Sequence, residues 1–315
     1  MSDLLVIGGG PAGVSAALWA HALDLDVQVI EQAAVSGGQL RRIHFEPPQL
    51  STAVDGAGEV LANRARDRLA ERGVPMRLRA RALRLCEPVL GVELDSGAIE
   101  LARAIVIATG LRARPLDAIG AERWMGHGVS DSATRDRERF AGRSMVVVGG
   151  GDAAYENALI LSDSGCEVLI AQRAATRARA RFVARVAQDP RIRVREHVTV
   201  LEVLGDTEVS GVRLKRSDGA VESHSCSGVV VKLGQVPNTE WCRDALRLDR
   251  EGFVRVAAGG RTSRQGVWAA GDVVRPALLA IPVAEAGGAV AARQVFDWFE
   301  AGSRHDSWPE LAGPG

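Results

Sequence analysis

A chain of 315 residues is long enough for two domains, each with its own hydrophobic core. Lysine plus arginine and aspartate plus glutamate total 39 each, so the formal net charge is zero; no global field favours nucleic acid or an anionic membrane, and small molecules or redox proteins stay open as partners. No apolar run is long enough to cross a bilayer and no basic leader precedes the first apolar run, so a cytoplasmic protein is expected. The four scattered cysteines (Cys86, Cys166, Cys226, Cys242) have neither metal-ligand spacing nor a Cys-x-x-Cys pair, so no metal site is expected.

Residues 4–7 form an apolar β-rich run, followed by Gly8-Gly9-Gly10-Pro11-Ala12-Gly13, an alanine-rich stretch of helical periodicity, and a second apolar run at 27–30. This is strand, glycine loop, helix, strand, the context in which the spacing of Gly8, Gly10 and Gly13 carries meaning. Small residues such as Ala12 let the backbone approach a pyrophosphate. The positive end of the helix that Pro11 opens stabilises its charge. Glu31, at the end of the second strand with Gln32 beside it, can accept hydrogen bonds from both hydroxyls of an adenosine ribose.

A strand is expected at 105–108, ending in a glycine-bearing turn. The first pattern then repeats imperfectly: an apolar run at 145–148, the loop Gly149-Gly150-Gly151-Asp152-Ala153-Ala154, a helix, and a strand at 168–170. The offset that leads from Gly8 to Glu31 leads from Gly149 to Gln172, so the ribose acid is absent. Arg173, Arg177 and Arg179 follow and can pair with a ribose 2′-phosphate. NADPH is therefore favoured, with NADH possible, while Arg181 and Arg185 read as a solvated helix face. Strands at 228–231 and 267–270 also end in glycine-bearing turns, where a parallel sheet places its ligands. Glycine punctuation near 111–114, at Gly110, and near 234–238, at Gly234, flanks the second unit, which reads as an insertion into the first. The expected fold class is α/β with two Rossmann-like dinucleotide-binding domains, one at 1–114 with 245–315 and the other at 115–244. A helix around 293–299 gives way to a Pro-Gly-rich end that cannot continue it.

Together with Gly37-Gly38-Gln39-Leu40, Ala108-Thr109-Gly110, Gly234-Gln235-Val236-Pro237-Asn238-Thr239 and Ala270-Gly271-Asp272-Val273, these residues resemble the low-molecular-weight thioredoxin reductase family over nearly the whole chain. The resemblance implies that the discontinuous domain binds FAD and the inserted one NADPH, that a two-stranded connection joins them, and that the chain forms a homodimer. It implies that the first glycine loop and Glu31 hold the ADP part of FAD, that Gly38, Gln39 and Leu40 line the flavin side, and that Asp272 binds the ribityl chain. Ala108, Thr109, Gly110 and Gly271 are counted in the same site. A carboxylate on a glycine turn can accept from a ribityl hydroxyl, whereas left unpaired and buried it would be costly.

One stretch departs from the family. Where the reductases carry Cys-Ala-Thr-Cys-Asp, this chain reads Ser132-Ala133-Thr134-Arg135-Asp136, and neither Ser132 nor Arg135 can form a mixed disulfide. Ala12 stands where some thiol-disulfide relatives have a cysteine. The resemblance then extends to members without the cysteine pair that act as ferredoxin-NADP reductases. It implies an FAD-dependent NAD(P)H oxidoreductase with a non-disulfide acceptor, whether a ferredoxin-like protein, a quinone or a small molecule. Two alternatives stay open: a specialised flavoenzyme acting on one metabolite in the space the cysteines vacate, and a non-enzymatic, redox-responsive FAD-binding regulator. His44 is nominated as a proton donor near the flavin loop. Trp308 is nominated as an aromatic lid, because in some relatives a C-terminal aromatic covers the partner subunit's flavin.

Overall fold

Alternation along the first apolar run decides how the first sheet is buried. In β1 (Ser2–Ile7), Leu4 and Val6 enter one hydrophobic cluster and Leu5 and Ile7 another, because successive strand side chains face opposite sides of the sheet. A strand covered on both faces belongs to a parallel α/β sheet. A computed structural model describes residues 1–43, 58–302 and 308 of the chain and shows this α/β architecture.

The chain divides into two units, Met1–Arg112 with Val236–Gly315, and Ala113–Gln235. In the first, β1 is followed by α1 (Pro11–Ala22), β2 (Val27–Ile30), α2 (Gly58–Glu71), β3 (Met76–Arg77), β4 (Ala82–Leu85), β5 (Gly91–Leu94), β6 (Ile99–Ile107) and β7 (Leu111–Ala113). The strand expected at 105–108 is thus the end of a longer one, and Ala108 lies in the turn beyond it. Long β6 changes partner along its length: its first residues pair antiparallel with β5, and the rest pairs parallel with β1 and, at its end, with a later strand.

The second unit runs β8 (Val129–Ser130), α3 (Ala133–Phe140), β9 (Ser144–Val148), α4 (Asp152–Asp163), β10 (Glu167–Ala171), α5 (Ala180–Gln188), β11 (Ile192–Arg195), β12 (Val198–Gly205), β13 (Val209–Arg216), β14 (Val221–Ser225) and β15 (Gly228–Val231). The parallel sheet has the order β11-β10-β9-β15-β8, with an antiparallel sheet β12-β13-β14 beside it. Alternation sorts its core as well: Val146 and Val148 enter one cluster, Met145 and Val147 the other.

After β16 (Gln235–Pro237), which pairs with β7, the chain adds β17 (Val267–Ala269) parallel to β6 and then α6 (Ile281–Glu300), the last element among the described residues. The first unit's parallel strands therefore run β3-β2-β1-β6-β17. The helix expected at 293–299 is the last third of α6. The residues 236–244, assigned from sequence to the inserted domain, belong to the first unit. The physical reason is burial: Cys242 is 1% exposed and packs with Leu246 among Leu5, Ile7 and Val267, so the core claims the segment that glycine punctuation alone did not.

Helices α1 and α6 pack without room for a side chain between them. A Cβ on Gly288 would stand 2.0 Å from the Ala12 carbonyl oxygen, and Ser15 Oγ donates to the Glu285 carbonyl at 2.7 Å. Trp268, fully buried, meets Trp298 and Trp308 edge-on at 5.5 and 4.8 Å, and Trp308 Nε1 donates to the Thr262 carbonyl at 2.9 Å. This corrects the lid expectation: Trp308 docks on its own unit, with its polar edge satisfied. Trp308→Ala is expected to cost about 2 kcal/mol, roughly half of a full core truncation because the indole is partly buried. A melting temperature about 5 °C lower follows, whereas an unchanged melt would show that the ring contributes no packing. Among the described residues no helix is long and apolar enough to cross a membrane.

Candidate functional site

The first glycine loop divides its labour between packing and approach. Gly8 has φ +114°, and a Cβ there would stand 2.3 Å from the Ala108 carbonyl oxygen; one on Gly13 would stand 1.8 Å from that of Gly8. Both glycines allow the strand, the turn and α1 to close on one another. Gly10 is different: it is the N-cap of α1, with Pro11 opening the helix, and nothing lies within 4 Å of the position its Cβ would take. No side chain caps α1, so the first-turn N–H groups of Ala12 and Gly13 face that space with the positive end of the helix behind them. These features fit a phosphate group.

Glu31 is 8% exposed and held from both sides. Its Oε2 accepts from the Gly9 N–H and its Oε1 from the Ala33 N–H, each at 2.7 Å. Each oxygen keeps a second lone pair for a ribose hydroxyl. Gln32 next to it is exposed. The turn at Gly38-Gln39-Leu40 reaches the same place: a Cβ on Gly38 would be 3.5 Å from Gly10 Cα, and Leu40 is buried. Gln39 Nε2 donates to Asp272 Oδ2 at 3.2 Å. Asp272 is half-buried, and burial pushes its carboxyl above the usual range despite that bond. Gly271, at φ +76°, would place a Cβ 2.7 Å from that of Ala12. Glycine loop, ribose acid, Gly38 turn and Asp272 turn are thus brought together within one unit.

Ala108, Thr109 and Gly110 do something else. Thr109 Oγ1 donates to the Asn238 carbonyl and Asn238 Nδ2 to the Thr109 carbonyl, each at 2.8 Å, while the Asn238 N–H donates to the Gly110 carbonyl at 3.0 Å. The Thr109 hydroxyl is engaged in bracing this turn, and the Ala108 carbonyl backs Gly8. His44 lies outside the described residues.

The second loop repeats the design. Gly149 has φ +145°, with the Lys232 carbonyl 2.3 Å from a would-be Cβ, while Gly151, the N-cap of α4, is open and without a side-chain cap. Ala154 occupies the place of Gly13. Gln172 is 2% exposed, accepts from Tyr155 Oη at 3.4 Å and donates to Glu196 Oε1 at 2.8 Å. Glu196 has no sequence signal, because it comes from the turn between β11 and β12. Asp152 receives the Arg179 backbone N–H at 2.7 Å and its Nε at 2.5 Å. The backbone bond is the chief cause holding that carboxyl below its ordinary range, against some desolvation. This corrects the reading of Arg179: its guanidinium is engaged with Asp152. Arg173 and Arg177 are exposed, and their guanidiniums have no partner among the described residues. Ala153 is exposed on the first turn, and its carbonyl accepts from Asn157 Nδ2 at 2.7 Å.

In the stretch that lacks the cysteine pair, Ser132 caps α3 by accepting the Arg135 N–H at 3.3 Å. The Arg135 guanidinium is folded onto Asp131, Asp136 and Ser130 at 2.9, 2.8 and 3.2 Å. Burial works to raise the Asp136 carboxyl, but bonds from Arg135 and Ser130 overcome it and hold the group below the usual range. Lys232, half-buried, donates from Nζ to the Asp131 carbonyl at 2.5 Å; burial lowers its ammonium. All four cysteines are free and buried. Burial pushes the Cys226 thiol to about 11 and Cys242 to about 12. Among the described residues no group of His, Cys, Asp and Glu could hold a metal ion.

A family model described as pyridine nucleotide-disulphide oxidoreductase matches residues 2–288. The chain is 32% identical over 320 residues to a bifunctional thioredoxin reductase/thioredoxin of Mycobacterium leprae, covering 99% of this chain and 69% of that protein. It is 31% identical to the thioredoxin reductase of Treponema pallidum, over 95% of this chain and 97% of that one. An NADH dehydrogenase of Bacillus subtilis is 29% identical over 94% of this chain, which spans only 58% of that protein's length. Among solved structures, the thioredoxin reductase of Lactococcus lactis superposes with a TM-score of 0.80 at 26% identity, covering 96% of this chain and 100% of the other.

Proposed function

The chain belongs to the pyridine nucleotide-disulphide oxidoreductase family, as a thioredoxin reductase-like FAD- and NAD(P)-dependent oxidoreductase, and from that premise we propose that it works without a redox-active disulfide. When bound, FAD and a nicotinamide dinucleotide, preferentially NADPH, would supply the redox chemistry, and the acceptor would be a ferredoxin-like protein, a quinone or a small molecule.

The observation that carries this reading is a contrast between two intact loops and one altered stretch. Gly10 and Gly151 keep the open approach a pyrophosphate needs, while the dithiol positions hold Ser132 and Arg135, the latter bound to neighbouring carboxylates. In the first unit the N–H groups of Ala12 and Gly13 receive the phosphates, Glu31 the ribose, and Asp272, oriented by Gln39, a ribityl hydroxyl. In the second, the N-terminus of α4 receives the pyrophosphate, and Arg173 and Arg177 the 2′-phosphate. A regulator with no nicotinamide partner would have less use for Gly149 and Gly151.

Anaerobic addition of NADPH is expected to bleach the flavin absorbance, and faster than NADH does. Arg173→Ala removes one charge-assisted partner of the phosphate and is expected to narrow that preference roughly tenfold. Equal rates with the two nucleotides in the parent protein would refute the preference, and failure of both to bleach the flavin would refute electron entry itself. An acceptor screen on the reduced protein identifies the exit.

A further inference from the structure

The two units carry the same stereochemical slot beside their middle glycines. A Cβ on Gly9 would stand 3.2 Å from Glu31 Oε2, and one on Gly150 would stand 3.1 Å from Gln172 Oε1. Gln172 therefore offers an amide oxygen where Glu31 offers a carboxylate. Yet a carboxylate reaches the second slot by another route. Glu196 Oε1 accepts from Gln172 Nε2 at 2.8 Å and from the Thr176 N–H at 3.2 Å. Thr176 lies between Arg173 and Arg177, and that segment is folded onto the glycine loop: the Arg177 N–H donates to the Gly150 carbonyl at 2.7 Å, and Thr176 Oγ1 to the same oxygen at 3.4 Å. Glu196 is exposed, and its second oxygen accepts no protein hydrogen bond among the described residues. The Glu196 carboxylate and the segment that carries Arg173 and Arg177 are therefore tied to the same place, at Gln172 and the glycine loop.

We infer that Glu196 is a specificity-determining residue: its charge opposes the ribose 2′-phosphate that Arg173 and Arg177 attract, so that this unit accepts both nicotinamide dinucleotides and prefers NADPH less than the two arginines alone would dictate. The inference rests on reading the second unit as the nicotinamide unit. The carboxylate acts in opposite directions on the two ligands. Toward NADH it is an acceptor for a neutral 2′-hydroxyl. Toward NADPH it is a like charge facing a phosphate of about −1.5 to −2, a repulsion that within a few ångströms and in partly solvated surroundings weakens binding roughly tenfold. The arginines offset that repulsion and leave a surplus. A carboxylate absent at Gln172 is thus supplied from the turn between β11 and β12, whose backbone also brackets Gln172 through the Arg195 carbonyl and the Val198 N–H.

Glu196→Gln tests this, because glutamine keeps an oxygen acceptor for Gln172 and Thr176 but carries no charge. Calorimetric titration of the flavin-loaded protein with adenosine 2′,5′-bisphosphate and with 5′-AMP reads the ribose position without turnover. The ratio of the two affinities is expected to move about tenfold toward the bisphosphate, and the NADPH-to-NADH ratio of kcat/KM to move the same way. Glu196→Ala should shift the ratio in the same direction. A ratio within twofold of the parent in the glutamine variant overturns the inference. A shift in the alanine variant alone also overturns it, since it would make Glu196 a brace for the loop and not a charge. If the parent binds neither nucleotide while retaining FAD, the nicotinamide reading of the unit itself fails, and the inference with it.

Discussion

Gly13→Ala is expected to yield no flavin-loaded protein of normal stability, whereas Gly10→Ala folds as the parent does and loses flavin. An alanine at position 13 would carry its methyl 1.8 Å from the Gly8 carbonyl oxygen, a backbone atom that no rotamer change can move. Gly8 cannot retreat either, because it is itself closed against Ala108. Replacing a helical glycine by alanine ordinarily gains about 1 kcal/mol, but relief of such an overlap costs more than the usual 1–3 kcal/mol of overpacking. A net loss of about 3 kcal/mol or more follows, a large share of the 5–15 kcal/mol typical of a folded domain. At position 10 the backbone is extended, with φ −83° and ψ −176°, and a methyl meets no protein atom. It does occupy the space where a pyrophosphate approaches α1, so flavin affinity is expected to fall at least about tenfold. Melting curves with and without added FAD, read beside the flavin-to-protein absorbance ratio, separate the two effects. Parent-like melting of Gly13→Ala, or undiminished flavin in Gly10→Ala, would contradict this division of roles.

The second large effect is the absence of an activity. NADPH-dependent reduction of thioredoxin is expected at background level, in a protein whose flavin NADPH reduces. Exchange begins with a thiolate and needs a second thiol to resolve the mixed disulfide. The cysteines are buried, and with thiols pushed to about 11 and 12 Cys226 and Cys242 hold no more than roughly one part in 10⁴ of thiolate at neutral pH. Replacing all four by alanine should leave electron transfer from NADPH to an artificial acceptor within about twofold, with a lower melting temperature from the small cavities left behind. Disulfide reduction well above background, lost when a single cysteine is replaced, would establish a relay and refute the proposal.

What could be read from sequence was what backbone sterics write locally. A glycine that must adopt positive φ beside a strand end, as at Gly8 and Gly149, leaves no alternative residue, and the unbroken apolar runs of β1 (Leu4 to Ile7) and β9 (Met145 to Val148) announce two buried faces. The end of the inserted unit was not local: Gly234 marks a turn, but only the packing of Cys242 and Leu246 shows which core the next segment joins. The strands β12, β13 and β14 were missed because their exposed edges carry charge and weaken the period-2 signal. Glu196 and the docking of Trp308 depend on contacts 24 and 46 residues distant, which no spacing rule reaches. Arg179 was misread because a basic residue near a phosphate loop looks alike whether it faces the ligand or an acid on the neighbouring helix.

The close packing of α1 against α6 bears on how the chain acquires its structure during synthesis. The helix that follows the first glycine loop is covered by residues 281–300, so its apolar face waits for that distant segment to leave the ribosome. The middle unit is a single continuous segment with two hydrophobic clusters of its own and can condense as soon as it emerges. Because domains form as units and late long-range contacts are slow, the first unit, begun before the middle one, closes after it, and the glycine loop on α1 takes its packed form only with that closure.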